Sequence, residues 1–360
     1  VRDKQGRKMS KSLGNGLDPL EIVDEYGADA LKFTLAYNCA AGQDILVDKE
    51  SFKMGSKFAN KIWNASRYIL MNLEGRELVD AASLTYNDLD RWILHRLNET
   101  AGQVREALES WRFNEAAQAA YSFFWDDFCD WYIEATKLSL KGTDEAEKNR
   151  ATTVLLNVLE ESLRLLHPLL PFVTEEIHLM LPNASGSLIQ ADYPEFSASR
   201  NAPGVASLFE GLRELVRMSR TLRSEFQISP ETKMKLAIRF EPGFAGADFL
   251  MRNAELVGLL VNGPAPEAVV TRPEGSVVLA GRGYEAYAMV RESVDVVRLV
   301  EKLGKEIAKD RGFAERTAAK LANEGFVASA PAEIISKERE KLADTEKRIA
   351  KLSRFVEELS

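Results

Sequence analysis

The last seventy residues set the tightest condition on the fold. Val296, Val300, Leu303, Ile307, Asp310, Ala314, Thr317 and Leu321 follow one another at alternating steps of four and three. After Gly325, Ala330 and Pro331, the set Ile335, Glu338, Leu342, Thr345, Ile349, Leu352, Val356 and Leu359 does the same. Such a period keeps one apolar stripe on a helix only if the helix winds around a partner. Two such helices joined by a short turn predict an antiparallel coiled-coil hairpin, each arm spanning ~45 Å at about 1.5 Å per residue. Asp310, Thr317, Glu338 and Thr345 are polar departures on the seam that fix register at a cost in stability. Outside the seam the first helix carries Arg298, Lys302, Lys305, Lys309, Arg316 and Lys320. Residues 291–360 hold 15 Lys and Arg against 14 Asp and Glu, a net of +1 that leaves −9 on the rest of a chain of net charge −8. The hairpin is therefore the part least repulsive to a polyanion. A coiled coil has no concave pocket, so its use is as a surface, for another protein chain or for phosphates.

Upstream the chain changes character. At 360 residues, 45% of them hydrophobic, it holds two to four domains with ample cores. The acidic balance argues against a nonspecific polyanion binder. Cys39 and Cys129 are too far apart in sequence to chelate, no apolar run reaches the ~18 residues of a membrane span, and a reducing cytoplasm fits. No signal peptide is visible and the chain begins at Val1 rather than Met, so a fragment of a longer protein is expected.

Residues 86 to 182 read as helices. Trp92, Ile93, Leu97, Val104 and Leu108 form one stripe, and the run from Trp111 to Leu140 places Phe113, Tyr121, Phe124, Trp125, Phe128, Trp131, Tyr132 and Ile133 at helical spacing. Dense aromatics of this kind form a bundle interior, the alternative being a base-stacking platform. A helix from Ala151 to His167 stops at Pro168, with Pro171 or Thr174 near the next helix start. His95, His167 and His178 each sit in an apolar run without partners at metal spacing, so structural roles and no metal site are expected. Pro182 to Pro203 is a connector rich in proline, serine and glycine. The helix that follows carries Arg213, Arg217, Arg220 and Arg223 within about a third of its circumference, either a phosphate-tracking stripe or a solvated face partnered by Glu210, Glu214 and Glu225. Strands at Lys233–Phe240, Glu267–Thr271, Ser276–Leu279 and Tyr284–Val290, with a helix at Ala247–Val261, predict a small α+β module. The fold class expected is mainly α: a helical bundle, a small α+β module and a coiled-coil hairpin.

The chemistry concentrates at the start. Lys8-Met9-Ser10-Lys11-Ser12-Leu13-Gly14-Asn15, bracketed by Gly6 and Gly16, describes a loop carrying positive charge. Glycines let backbone approach a ligand, and ammoniums and hydroxyls supply donors where negative charge builds on a polyphosphate. A solvated basic turn is the plain alternative. Asp18 can cap a short helix with Pro19 at its first position, Gly27 ends it and Asp29 opens the next, which together would hold the loop.

Gly-Arg-Lys-Met-Ser-Lys-Ser-Leu-Gly-Asn, residues 6–15, resembles the KMSKS signature of class I aminoacyl-tRNA synthetases. Tyr26-Gly27-Ala28-Asp29-Ala30-Leu31-Lys32-Phe33 is similar to the link from catalytic domain to bundle in members that activate branched aliphatic amino acids. Residues 58–67, 128–134 and 320–327 resemble the linker helix, the anticodon bundle and the arm turn of the valyl group. The isoleucyl relative, whose C-terminus carries zinc-binding cysteines, and a standalone tRNA-binding module are the alternatives. The resemblance implies four parts: the end of a catalytic domain over residues 1–75, an anticodon-binding bundle over 76–200, an α+β connector over 201–290, and a tRNA-binding arm over 291–360. It implies use of ATP with magnesium to activate valine and transfer to tRNA(Val), by a monomer. Lys11 would then carry the pyrophosphate-side charge, Lys8 and Ser10 would assist, and Met9, Ser12 and Gly14 would complete the ATP loop. Asn64, Arg67 and Tyr68 would touch the anticodon stem-loop, with Arg213, Arg217, Arg220, Arg223, Lys302, Lys305, Lys309, Arg316 and Lys320 as further tRNA contacts. No His-x-Gly-His, the motif of the other half of the family's ATP site, occurs in these residues, so the chain alone is expected to be inactive.

Overall fold

Asp18 and Pro19 start the first helix as their chemistry requires. The Asp18 side chain accepts the Leu20 N–H at 2.9 Å, α1 runs Pro19–Tyr26, and Gly27 at φ +93° turns the chain into α2, Ala28–Asn38. The computed structural model describes residues 1–80, 83–182, 184–292, 295–323, 325–326 and 330–359, without the side chains of Lys11, Glu292, Glu358 and Leu359. The Lys11 and Leu359 side chains and the turn residues Glu324 and Val327, each given a place above, thus lie outside the described residues. The chain forms two compact units, Val1–Phe209 and Glu210–Ser360, and is mainly α.

In the first unit α3 (Lys53–Leu73) crosses α2 closely. A Cβ on Gly55 would stand 2.6 Å from the Ala30 carbonyl oxygen and 2.8 Å from the Thr34 hydroxyl. The bundle continues with α4 (Asp88–Glu109), α5 (Phe113–Ser122), α6 (Glu134–Lys141), α7 (Glu145–Leu166) and α8 (Pro171–Leu179). Asn87 and Asp90 form a capping box at the head of α4, and Asp144 caps α7. Asp90 is fully buried, accepts the Tyr132 hydroxyl at 2.8 Å and pairs with Arg150. Most of the aromatic stripe is interior: Phe124, Phe128 and Tyr132 are fully buried, as is Phe58 of α3, and Tyr121 of α5 lies tilted 4.7 Å from Phe58 and stacks 6.1 Å from Phe33 of α2. Two features depart from a plain helical period. Residues Phe123–Ile133 between α5 and α6 wind as a π-helix, whose i→i+5 bonding widens the turn where the aromatics are densest. Phe113, expected in the stripe, is instead 39% exposed beside Trp111, which forms the α4–α5 turn at φ +60° and is 78% exposed.

In the second unit the helix α9, Pro203–Glu225, contributes its residues from Glu210 onward. The sheet has the order β2-β1-β4-β3, built from β1 (Leu236–Phe240), β2 (Glu267–Ala268), β3 (Val277–Gly281) and β4 (Tyr284–Ala288). β1 pairs parallel with β2 and antiparallel with β4, from Leu236 opposite Ala288 to Phe240 opposite Tyr284. The single helix expected at 247–261 is broken into α10 (Ala247–Arg252) and α11 (Ala254–Val261) at Asn253, where φ −101° and ψ 20° leave the helical region and the side-chain amide shares the Phe249 carbonyl with the residue's own N–H, at 2.9 and 3.1 Å.

The hairpin forms as the heptads dictate. α12 (Val296–Ala322) packs along α13 (Ala332–Leu359), with Leu303, Ile307, Thr317 and Leu352 buried. Three of its polar seam residues are satisfied: Glu338 pairs with Lys320 at 3.3 Å, and the Thr317 and Thr345 hydroxyls donate to carbonyls one turn back. Asp310 lies 3.5 Å from Arg348, its Oδ2 buried without a hydrogen bond among the described residues. The root of the hairpin is part of the unit's core: Phe355 meets Phe226 edge to face at 5.0 Å, and Lys351 pairs with Glu225 at 2.7 Å.

Candidate functional site

The loop of residues 8–14 rises from a base that is tied by two side chains. Asp3-Lys4-Gln5-Gly6 makes a tight turn, with the Gly6 N–H donating to the Asp3 carbonyl at 2.9 Å, as the Asp-first, Gly-last pattern favours. The Asp3 carboxylate, 8% exposed, accepts the Gln5 N–H at 3.1 Å, the Arg7 N–H at 2.9 Å, Arg7 Nε at 2.8 Å and Asn15 Nδ2 at 3.0 Å. The Asn15 amide and the Arg7 guanidinium hold its pKa down, from an ordinary 3.8 to about 2. Asn15 Oδ1 in turn accepts the Ser10 N–H at 2.9 Å. Arg2 bonds the Ile45 and Val47 backbone beside the loop, and Met9 and Leu17 pack on the cluster of Ile22, Val47 and Phe52. The base is thus anchored to α1 and its neighbours by both polar and apolar contacts.

Above that base the loop is open. Ser10 Oγ and Ser12 Oγ lie 3.1 Å apart, Ser10 Oγ accepts the Leu13 N–H at 3.3 Å, and Gly14 at φ +61° returns the chain. Lys8 is exposed, and the Lys11 backbone starts a single 3₁₀ turn, Lys11–Leu13. Residues 8–14 include no acid. The Ser10 and Ser12 hydroxyls, the Lys8 ammonium and the backbone of one short turn can receive a polyphosphate by charge and hydrogen bonding alone. Among the described residues no group of three His, Cys, Asp or Glu side chains could hold a metal ion. Asp3 and Asn15 were given no role by sequence reasoning, although an Asp-x-x-Gly turn facing an Asn twelve residues on is the signal that could have found them.

On α3, Asn64 and Arg67 are exposed on a helix that contains no acidic residue, beside Trp63 at 36% and Met71 at 63% exposure. Tyr68 is half-buried with Lys137 Nζ 5.8 Å from its ring centre, and burial raises its phenol pKa. The four arginines of α9 do not share one environment. Arg213 and Arg217 pair with Glu210 at 3.5 and 2.7 Å, Arg220 Nε donates to the Leu260 carbonyl at 3.1 Å, and Arg223 is buried. Along α12 Lys302 is half-buried, while Lys305, Lys309, Arg316 and Lys320 are exposed. Two of the histidines are hydrogen-bonded in the bundle: His95 Nδ1 accepts the Ala202 N–H at 3.1 Å, His167 Nδ1 meets the Thr174 hydroxyl at 2.9 Å, and burial lowers the His167 pKa; His178 is buried with neither ring nitrogen hydrogen-bonded among the described residues.

Comparison with known proteins covers the chain in sequence. Residues 1–48 match the family described as tRNA synthetases class I (I, L, M and V), residues 90–238 the anticodon-binding domain of tRNA ligase, and residues 295–360 the valyl tRNA synthetase tRNA binding arm. The valine–tRNA ligase of Treponema denticola is 49% identical over 99% of this chain and 41% of its own length. That of Treponema pallidum is 45% identical over 96% of this chain and 39% of its own length. That of Thermotoga maritima is 42% identical over 100% of this chain and 40% of its own length. The chain spans about two fifths of the length of these relatives.

Proposed function

The chain belongs to the valine–tRNA ligase family, and from that premise we propose that it supplies the phosphate-side loop and the tRNA-binding surfaces of an enzyme that activates valine with ATP and transfers it to tRNA(Val). Residues 1–75 end the catalytic domain, 76–200 bind the anticodon stem-loop, 201–290 connect, and 291–360 form the arm. Lys11, with Lys8 and Ser10, stabilises the charge that develops on pyrophosphate as the α-phosphoryl bond breaks, and Met9, Ser12 and Gly14 shape the loop. Magnesium accompanies ATP. The protein acts as a monomer in the cytoplasm; no described helix is long and apolar enough to cross a membrane.

One observation carries the reading of the loop: an acid-free segment of donors stands on a base fixed by the Asp3–Asn15 bond at 3.0 Å. Little covalent chemistry is asked of such a loop; it works by placing charge. Arm-model agreement at residues 295–360 favours a valyl over an isoleucyl enzyme. Filter binding of transcripts tests the partner. Retention of tRNA(Val) above other tRNAs is expected, and equal retention of all tRNAs would overturn the assignment.

A further inference from the structure

The end of α4 has a bonding pattern that calls for glycine and holds a tryptophan instead. The Arg112 N–H donates to the Ala107 carbonyl at 2.8 Å and the Trp111 N–H to the Leu108 carbonyl at 3.1 Å, the paired bonds of a helix that closes through a left-handed residue. Trp111 is that residue, at φ +60°, where glycine is free of strain and a bulky side chain is rare. The ring packs little against the fold. It is 78% exposed and meets Phe113 edge to face at 6.0 Å, and Phe113 is itself 39% exposed. A local preference overridden with so little packing gained is characteristic of a contact surface.

The charge around the pair selects what it contacts. Arg112 pairs with Glu106 at 3.0 Å and Glu115 at 3.1 Å, and Arg105 pairs with Glu109 at 3.0 Å and with Glu195. Leu108, whose carbonyl anchors Trp111, also lines an open cleft of about 670 Å³ with Arg105, Glu109, Asp192, Tyr193 and Glu195. Asp192 is exposed and makes no ion pair among the described residues. Both guanidiniums are thus already neutralised, and five carboxylates stand against the two. Such a patch repels phosphate, whether of RNA or of an anionic lipid surface. An aromatic face beside surplus carboxylates suits a cation carried on an apolar stem. We propose that Trp111, Phe113 and the acidic cleft dock a basic segment of another polypeptide, with one arginine or lysine side chain lying on the Trp111 ring and its neighbours entering the cleft beside Asp192. This surface lies outside the RNA-binding reading and does not depend on it.

Trp111→Gly tests the proposal, because the variant keeps every charge and suits the backbone better. Binding of a fluorescein-labelled hexa-arginine peptide to the full chain is followed by anisotropy at about 50 mM KCl, where charge attraction is only weakly screened. The expected result is a Tm no lower than that of the parent and a peptide affinity lower by about tenfold. Asp192→Asn should lower the affinity by about threefold and flatten its salt dependence. Failure of the parent to bind hexa-arginine, or equal affinity in parent and Trp111→Gly, would overturn the proposal. A Tm well below that of the parent would make the ring a structural element and overturn it as well. Loss of tRNA(Val) binding in Trp111→Gly with hexa-arginine binding unchanged would assign the aromatic pair to RNA, and a dimer that the variant dissolves would assign it to a second copy of the chain; either result overturns the proposal.

Discussion

The Asp29 carboxylate, on the helix next to the loop-bearing segment, accepts the Val173 backbone N–H at 2.7 Å, and its other oxygen accepts that of Phe172 at 3.1 Å. An acid in the first turn of α2 therefore caps α8, 144 positions away. Asp29 is 8% exposed, and its removal leaves two part-buried backbone donors without their partner. Asp29→Ala should cost about 1–2 kcal/mol. That corresponds to a Tm lower by roughly 2–8 °C for a unit of this size. An unchanged Tm by calorimetry would show that water replaces the cap without loss.

Asp3 gives a pH signature. Its folded-state pKa lies below the unfolded one, near 2 against 3.8, so its contribution is complete above about pH 4 and is lost as pH falls toward 2. Hydrogen exchange at the Ser10 amide should accelerate across that window beyond its intrinsic pH dependence. Asp3→Asn should show the faster exchange already at neutral pH. Identical exchange in parent and variant would mean that Asn15 alone holds the loop.

For the chain alone, valine-dependent ATP–pyrophosphate exchange is expected at the level of the buffer blank. In an enzyme containing this chain, Lys11→Ala should lower the activation rate by about a hundredfold or more with valine binding little altered, as expected of a group that acts on developing charge. A raised KM at constant kcat would instead make the loop a ground-state binder.

Arg67 and Tyr68 separate binding from folding. Exposed Arg67 should tolerate replacement by Ala without a change in Tm, while tRNA affinity falls and the salt slope becomes shallower by about 0.7–0.9. Half-buried Tyr68, packed beside Lys137, should lose stability as well on replacement by Ala. Circular dichroism with a parallel titration checks both, and a stability loss in Arg67→Ala would contradict the assignment.

The arm cannot be removed at its root without damage, because Phe355 covers Phe226 and Lys351 meets Glu225. Excising residues 310–345 and closing the ends with a glycine turn should leave a folded monomer with lower tRNA affinity and a shallower salt slope. Deleting residues 291–360 should expose Phe226 and reduce solubility. Loss of a dimer in sedimentation, with tRNA binding unaffected by the shorter excision, would assign the arm to protein association.

What was legible in the sequence is what depends on near neighbours. The heptads of α12 and α13 and the Asp18–Pro19 start repeat with fixed local periods, and they form as read. The Asp29 cap of α8 was not legible, since an Asp three residues after a tyrosine reads as the start of its own helix. The π-helical segment also escaped, because buried residues at 124, 128 and 132 satisfy a 3.6-residue period just as well. In the candidate site the donors were visible as Lys and Ser letters, whereas the Asp3–Asn15 bond that orients them requires a turn in space. The inward placement of Arg223 likewise depends on a loop, residues 226–235, that folds back over its helix.

The Asp3–Asn15 bond also has an entropic side. It closes a ring across a twelve-residue separation, a constraint whose loop-closure cost is about 2 kcal/mol. That cost is met when the protein folds rather than when a polyphosphate arrives. The ligand has only to order the few side chains at the tip, so a larger share of each new contact remains as affinity.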